Sequence, residues 1–188
     1  MEPHTIFFIG KPGCGKGDQA KLLSEKTGWL VLSSGELFRK IAEGNTPVGH
    51  KVKEENYTGI LQPYWFATYL FLKELFSLSS DTSVIFDGFA RKIPEAELVI
   101  DSLRWLARPF SVLHLKVSDE EILHRLALRK EIEGRADDAF VNKRLEEYRM
   151  HTEPVIEMFR KAGMLFEIDG ERTREAIAED IRKVLSIE

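Results

Sequence analysis

Five short apolar runs, separated by stretches of helical pattern, constrain the fold of this chain more than any other feature. They are Thr5–Ile9, "WLVLS" at Trp29–Ser33, "SVIFD" at Ser83–Asp87, "SVLHLKV" at Ser111–Val117 and "MLFEID" at Met164–Asp169. Runs this short suit strands, and their lack of strict alternation predicts strands covered on both faces, as in a parallel sheet. Helical patterns lie between them at Gly15–Thr27, Pro94–Leu106, Asp119–Arg129, from about Asp137 to Ala162, and Arg174–Leu185. In the first of these, Ala20, Leu22 and Leu23 are expected to face inward, with Gly28 as a stop. Strands alternating with helices predict an α/β fold of three layers: a five-stranded parallel sheet with helices on both faces.

Two stretches break the alternation. Residues 34–80 hold no strand candidate and read as a helical insertion between the second and third strands. "KEIEGRADD", Lys130–Asp138, reads as an irregular patch between two helices. Pro and Gly are scattered, so a single domain is expected over 188 residues. A hydrophobic share of 43% supports one sizeable core. The net charge of -4 disfavours general nucleic-acid binding, yet a polyanion could bind where cations converge on one cleft. Cys14 is the sole cysteine, which excludes an intramolecular disulfide and fits a reducing compartment. No run approaches the ~20 apolar residues of a membrane span, and "MEPHTIFFIG" reads as a buried strand rather than a signal peptide. A cytoplasmic protein without membrane association is expected.

"GKPGCGK", Gly10–Lys16, matches G-x-x-x-x-G-K directly after one predicted strand and at the opening of a helix. Glycines let the backbone curl so that several N–H groups face one anion. The helix N-terminus adds positive potential, and Lys16 adds a mobile cation. The usual motif continues with Ser or Thr, a magnesium ligand. Here Gly17 and Asp18 follow.

Glycine after the lysine, within "PGCGKGDQ", resembles the adenylate kinase family of nucleoside monophosphate kinases, whose loop reads G-x-P-G-x-G-K-G-T-Q. Five further stretches match that family in order. "LSSGELFR" (Leu32–Arg39) is similar to L-S-T-G-D-L-L-R, "GILQP" (Gly59–Pro63) to G-x-L-V-P, and "DGFARKIPEAE" (Asp87–Glu97) to D-G-F-P-R-T-x-x-Q-A. "LHRLALR" (Leu123–Arg129) resembles the segment before the lid, and "GRADD" with "NKRLEEY" the lid's far edge and the next helix. The resemblance implies a P-loop NTPase-type fold, a helical acceptor-binding insertion at about 34–80 and a short lid at about 130–138. It implies a monomer that transfers phosphate from ATP, with Mg2+, to a nucleoside monophosphate. No structural zinc is expected, because long-lid relatives use four cysteines for it.

It also implies roles. Gly10, Pro12, Gly13, Cys14, Gly15, Lys16, Gly17 and Asp18, with Arg125 and Arg129, would meet ATP. Ser34, Gly35, Arg39, Leu61, Gly88, Phe89, Arg91 and Glu95, with Arg135 and Arg144, would meet the monophosphate. Lys16, Arg91, Arg125, Arg135 and Arg144 would carry the transfer, and Asp87 would orient magnesium-bound water rather than ligate the metal. The residue types suit the chemistry, because phosphoryl transfer needs positioning and charge neutralisation, and the arginine fork grips phosphate oxygens in pairs. Asp137 and Asp138 either cap the following helix or tie the lid to these arginines.

Four positions depart from the family pattern. Ala90 replaces a proline and frees the backbone before Arg91, and Glu36 replaces an aspartate at a helix start. Glu95 stands where adenylate kinases place a glutamine that reads adenine. An ionised glutamate only accepts, which suits guanine; a protonated one, or a carboxyl turned to water, leaves adenine open. Asp18 puts a negative charge beside the donor phosphates. Two readings follow: a kinase acting on AMP, with GMP or another nucleoside monophosphate as the alternative acceptor, or a nucleotide-binding protein weakened in catalysis.

Overall fold

The computed structural model describes residues 3–56, 58–133 and 140–187. Its strands are β1 Thr5–Gly10, β2 Leu30–Ser33, β3 Val84–Asp87, β4 Ser111–Lys116 and β5 Leu165–Asp169. They form one sheet in the order β2-β3-β1-β4-β5, and every neighbouring pair is parallel. The apolar runs thus become strands within a residue or two of the expected bounds.

Each strand sends alternate side chains to opposite faces. Phe7, Ile9, Phe86 and Val112 pack on one side with Phe71, Leu103, Val155 and Phe159. Those partners come from α4 (Tyr64–Ser77), α5 (Ile93–Trp105) and α8 (Glu153–Lys161). Ile6, Phe8, Ile85 and Leu113 pack on the other side with Ala20, Leu23, Ile122 and Ile181, carried by α1 (Lys16–Thr27), α6 (Asp119–Glu133) and α9 (Arg174–Val184). Phe7, Phe8 and Phe86 are fully buried, each worth about 1.5–3 kcal/mol relative to exposure. In α1, Gln19 is buried beside Ala20 and Leu23, while Leu22 is only partly covered. Gly28 ends the helix in the left-handed region, as expected of a stop.

Residues 34–80 hold α2 (Ser34–Ala42), α3 (Pro47–Asn56) and α4, in keeping with a strand-free helical stretch. Two bounds differ from expectation. Helix α6 runs on to Glu133, because Lys130, Glu131 and Glu133 are good helix formers and the first breaker is Gly134. The rest of the patch, through Asp138, lies outside the described residues.

The long helix expected from about Asp137 is divided into α7 (Val141–Glu147), a π turn at Tyr148–Thr152 and α8. Pro154 in the first turn of α8 has no N–H to continue the α ladder, and the wider turn before it absorbs the mismatch. Across this break the chain changes face: Leu145 belongs to one core and Tyr148 to the other.

Tyr148 Oη lies 3.2 Å from His114 Nε2 on β4. His114 is 8% exposed, and burial, opposed by the Glu167 carboxylate, brings its pKa down to about 4. The folded protein therefore holds a neutral imidazole where the unfolded chain binds a proton. Stability should fall as pH drops from about 6.5 to about 4, by on the order of 3 kcal/mol from this group, and level off below. Urea midpoints against pH for the wild type and His114→Gln check this; the variant should lose that part of the slope.

Candidate active site

A parallel sheet leaves a crevice outside the carboxyl ends of its strands where the connections diverge. Here β1 has β3 on one side and β4 on the other, so the loop after Gly10 opens at that point. The ends of β2 and β3 are tied together beside it. Ser33 Oγ donates to Asp87 Oδ2 (3.2 Å) and Ser34 Oγ to the Gly88 carbonyl (2.7 Å). Arg91 Nε donates to the same carbonyl (2.6 Å). Gly88 has φ +74°, and a Cβ there would run into the Arg91 guanidinium and lie 2.9 Å from Ser34 Oγ. Phe89 is buried beneath this turn.

In the phosphate loop, Lys16 Nζ donates to the carbonyls of Gly10 and Lys11 (both 2.8 Å) and reaches Cys14 Sγ at 3.3 Å. The ammonium is thus folded across the loop. Arg125 on α6 is held from three sides. It donates to Glu121 Oε1 (2.6 Å), the Gly170 carbonyl (2.9 Å) and the Cys14 carbonyl (3.4 Å). That joins the loop to the turn after β5 and presents a fixed guanidinium.

These groups line one open cleft of about 1500 Å3, larger than the ~300–1,000 Å3 of a pocket for one small ligand. Gly10, Pro12, Gly13, Cys14, Gly15, Lys16, Gly17, Asp18 and Arg125 line one part. Ser34, Gly35, Arg39, Leu61, Asp87, Gly88, Phe89, Arg91, Glu95 and Arg144 also line it. Arg135, Asp137 and Asp138 lie outside the described residues, as does the side chain of Arg129.

Asp87 Oδ1 is buried without a hydrogen-bond partner, and a Cβ on Gly17 would lie 3.8 Å from its Oδ2. A carboxylate with an unused buried oxygen, on a residue that lines the cleft beside the phosphate loop, fits a hydrated divalent cation. Among the described residues, no group of three or more His, Cys, Asp or Glu side chains is placed to hold a metal, and no helix is long and apolar enough to cross a membrane.

Glu95 does not point to water. It is 5% exposed, and its Oε2 accepts from the Arg91 N–H at 2.8 Å, at the start of α5. Burial pushes its carboxyl up, opposed by that N–H and by the charges of Arg91 and Lys92. Ala90 has φ +57°, a value that a proline ring forbids. The turn before Arg91 therefore follows a path that depends on the loss of the proline.

Several lining residues were not anticipated from sequence: Lys53 on α3, Glu147 on α7, and Arg172 and Arg174 beyond β5. Gln19 Nε2 donates to the Arg174 carbonyl at 3.0 Å, drawing that turn toward the loop. Arg172 and Arg174 lie in "GERTRE", where two arginines stand against two glutamates, so the charge of the stretch carries no signal.

Comparison with known proteins decides the family. The family model for adenylate kinase matches residues 8–164. An adenylate kinase of Thermus thermophilus is 36% identical over 186 residues, covering 97% of each chain. One of Maricaulis maris is 35% identical over 184 residues, covering 96% of this chain and 98% of that one. One of Prochlorococcus marinus is 33% identical over 189 residues, covering 99% and 100%.

The chain belongs to the adenylate kinase family. It is a phosphotransferase of the nucleoside monophosphate kinase type, and its parallel sheet under two helical layers is the P-loop fold of adenylate kinases. Gly88 meets two demands at once: a left-handed turn and room for two side chains on one carbonyl. Gly88→Ala should cost about 1–3 kcal/mol in stability and displace Arg91. A urea melt reads the first effect, and a raised acceptor KM the second.

Proposed function

We propose that the protein catalyses reversible, Mg2+-dependent transfer of the γ-phosphoryl group of ATP to AMP, giving two ADP. The observation that carries this reading is the convergence, in one two-substrate cleft, of the phosphate loop, Asp87 and arginines from four helix-bearing segments: Arg39, Arg91, Arg125 and Arg144. An acceptor phosphate oxygen attacks the γ-phosphorus as the bond to the β-bridging oxygen breaks, so ADP leaves and a second ADP forms. The chain's part is to hold two polyanions end to end and spread the charge of the moving group.

In this reading the loop N–H groups and Lys16 hold the donor phosphates, and Lys16 exchanges its carbonyl partners for phosphate oxygens. Arg39 and Arg91 hold the acceptor phosphate. Arg125, Arg144, Arg129 and Arg135 close over the transferring group. Magnesium, when bound with ATP, neutralises phosphate charge; Asp87 would orient its water through the unpartnered Oδ1. Residues 1–188 act as one kinase domain, with about 34–80 as the acceptor insertion and about 130–138 as a short lid. The protein acts as a cytoplasmic monomer, a setting that suits its lone, buried thiol at Cys14.

A second acceptor has one observation in its favour. Glu95 is a buried carboxylate on the cleft wall that already accepts one backbone N–H, and an ionised carboxylate suits the N1 and amino donors of guanine. Transfer from ATP to AMP, GMP, CMP and UMP, measured in parallel with magnesium, tests the proposal. Fastest transfer to AMP is expected. Preference for GMP would replace AMP as the acceptor, and no transfer to any would overturn the proposal.

Two variants probe the donor side. Lys16→Met should lower kcat about 10²–10³-fold, as for removal of one transition-state donor. Asp18 is exposed in the first turn of α1 and lines the cleft. Asp18→Thr should tighten ATP binding about two- to fivefold at low salt and less at high salt; titration calorimetry at two ionic strengths reads it.

A further inference from the structure

The segment joining α3 to α4 is gripped by charges from two distant elements. The Leu61 N–H donates to Glu147 Oε2 on α7 at 3.2 Å. The Leu61 carbonyl accepts from Lys92 Nζ at 3.4 Å, and the Gln62 carbonyl accepts from the same ammonium at 3.2 Å. An anion thus takes the N–H and a cation the C=O of one residue. Each bond carries a full charge, which roughly doubles its strength over a neutral pair.

Glu147 is 7% exposed, although it lines the cleft. A carboxylate so placed needs partners. Lys143 Nζ (3.9 Å) and His151 Nε2 (3.8 Å) lie at ion-pair distance, and the Leu61 N–H supplies the hydrogen bond. The neighbouring residues are equally close. Gly59 has φ +74°, and a Cβ there would lie 2.8 Å from Phe140 Cβ and 3.3 Å from Arg144 Cγ. Glu147 follows Arg144 by three residues, so both project from one side of α7.

We propose that Glu147 is a positioning residue: by holding the Leu61 N–H against α7, with Lys92 on the carbonyls, it sets the acceptor wall of the cleft in register with Arg144. The proposal rests on the kinase reading for its catalytic consequence and on geometry alone for the clamp. Losing the clamp lets the Gly59–Gln62 segment move away from α7. The acceptor site then loses affinity while the donor site, built on the phosphate loop, keeps its own.

The test compares Glu147→Ala, Glu147→Gln and Lys92→Met with the wild type by steady-state kinetics and by hydrogen exchange at the Leu61 amide. Glu147→Ala should raise the acceptor KM about tenfold, the worth of one charge-assisted hydrogen bond, and leave the ATP KM within about twofold. Glu147→Gln keeps an accepting oxygen and should restore the acceptor KM to within about threefold of wild type. The Leu61 amide should exchange about tenfold faster in Glu147→Ala than in the wild type.

An unchanged acceptor KM in Glu147→Ala, an equal rise in both KM values, or unchanged exchange would overturn the proposal. If Glu147→Ala does not fold, Lys92→Met decides: faster Leu61 exchange with a selective rise in acceptor KM supports the clamp, and any other result overturns it. A wild type without transferase activity would defeat the kinase reading, while the exchange data would still judge the clamp.

Discussion

The pairing of β1 between β3 and β4 is the constraint on which the remaining structure depends. Thr5 through Ile9 are buried because both faces of that strand are covered and both edges are bonded. A strand so enclosed can meet solvent only at its end. The chain must leave it through Gly10 into the one crevice that a parallel sheet opens. The phosphate loop therefore inherits its position from the packing of phenylalanines several residues upstream.

From that anchor the site is assembled by carbonyl groups as much as by charged side chains. The Gly88 carbonyl collects Ser34 and Arg91. The carbonyls of Cys14 and Gly170 collect Arg125. Those of Gly10 and Lys11 hold Lys16. Lys16, Arg91 and Arg125 are thus each held by backbone oxygen rather than left as bare charges.

Two of the departures from the family pattern sit at contacts that bear on this arrangement. Ala90 permits a left-handed turn before Arg91. Glu95 draws its carboxyl inward to the Arg91 N–H. Both bear on the backbone that presents Arg91. Asp18 is the departure next to the phosphate loop, and it is exposed in the first turn of its helix.

The strands, the glycine-rich loop and the cleft positions of Arg39, Arg91, Arg125 and Arg144 were legible in the sequence because they follow short-range rules: apolar runs of strand length, glycines at fixed spacing, motif positions in order. Local rules also govern where they misled. The helix through Lys130–Glu133 and the π turn before Pro154 turn on helix propensity and a missing N–H, which apolar periodicity does not weigh. The orientation of Glu95, the recruitment of Arg172 and Arg174, and the grip of Glu147 on Leu61 could come only from the tertiary structure. The last two join residues far apart in the chain through one hydrogen bond or one shared wall, and the first is a four-residue contact sealed by burial. Linear spacing carries periodicity along an element, but the meeting of two elements is decided by how the faces of the sheet are filled.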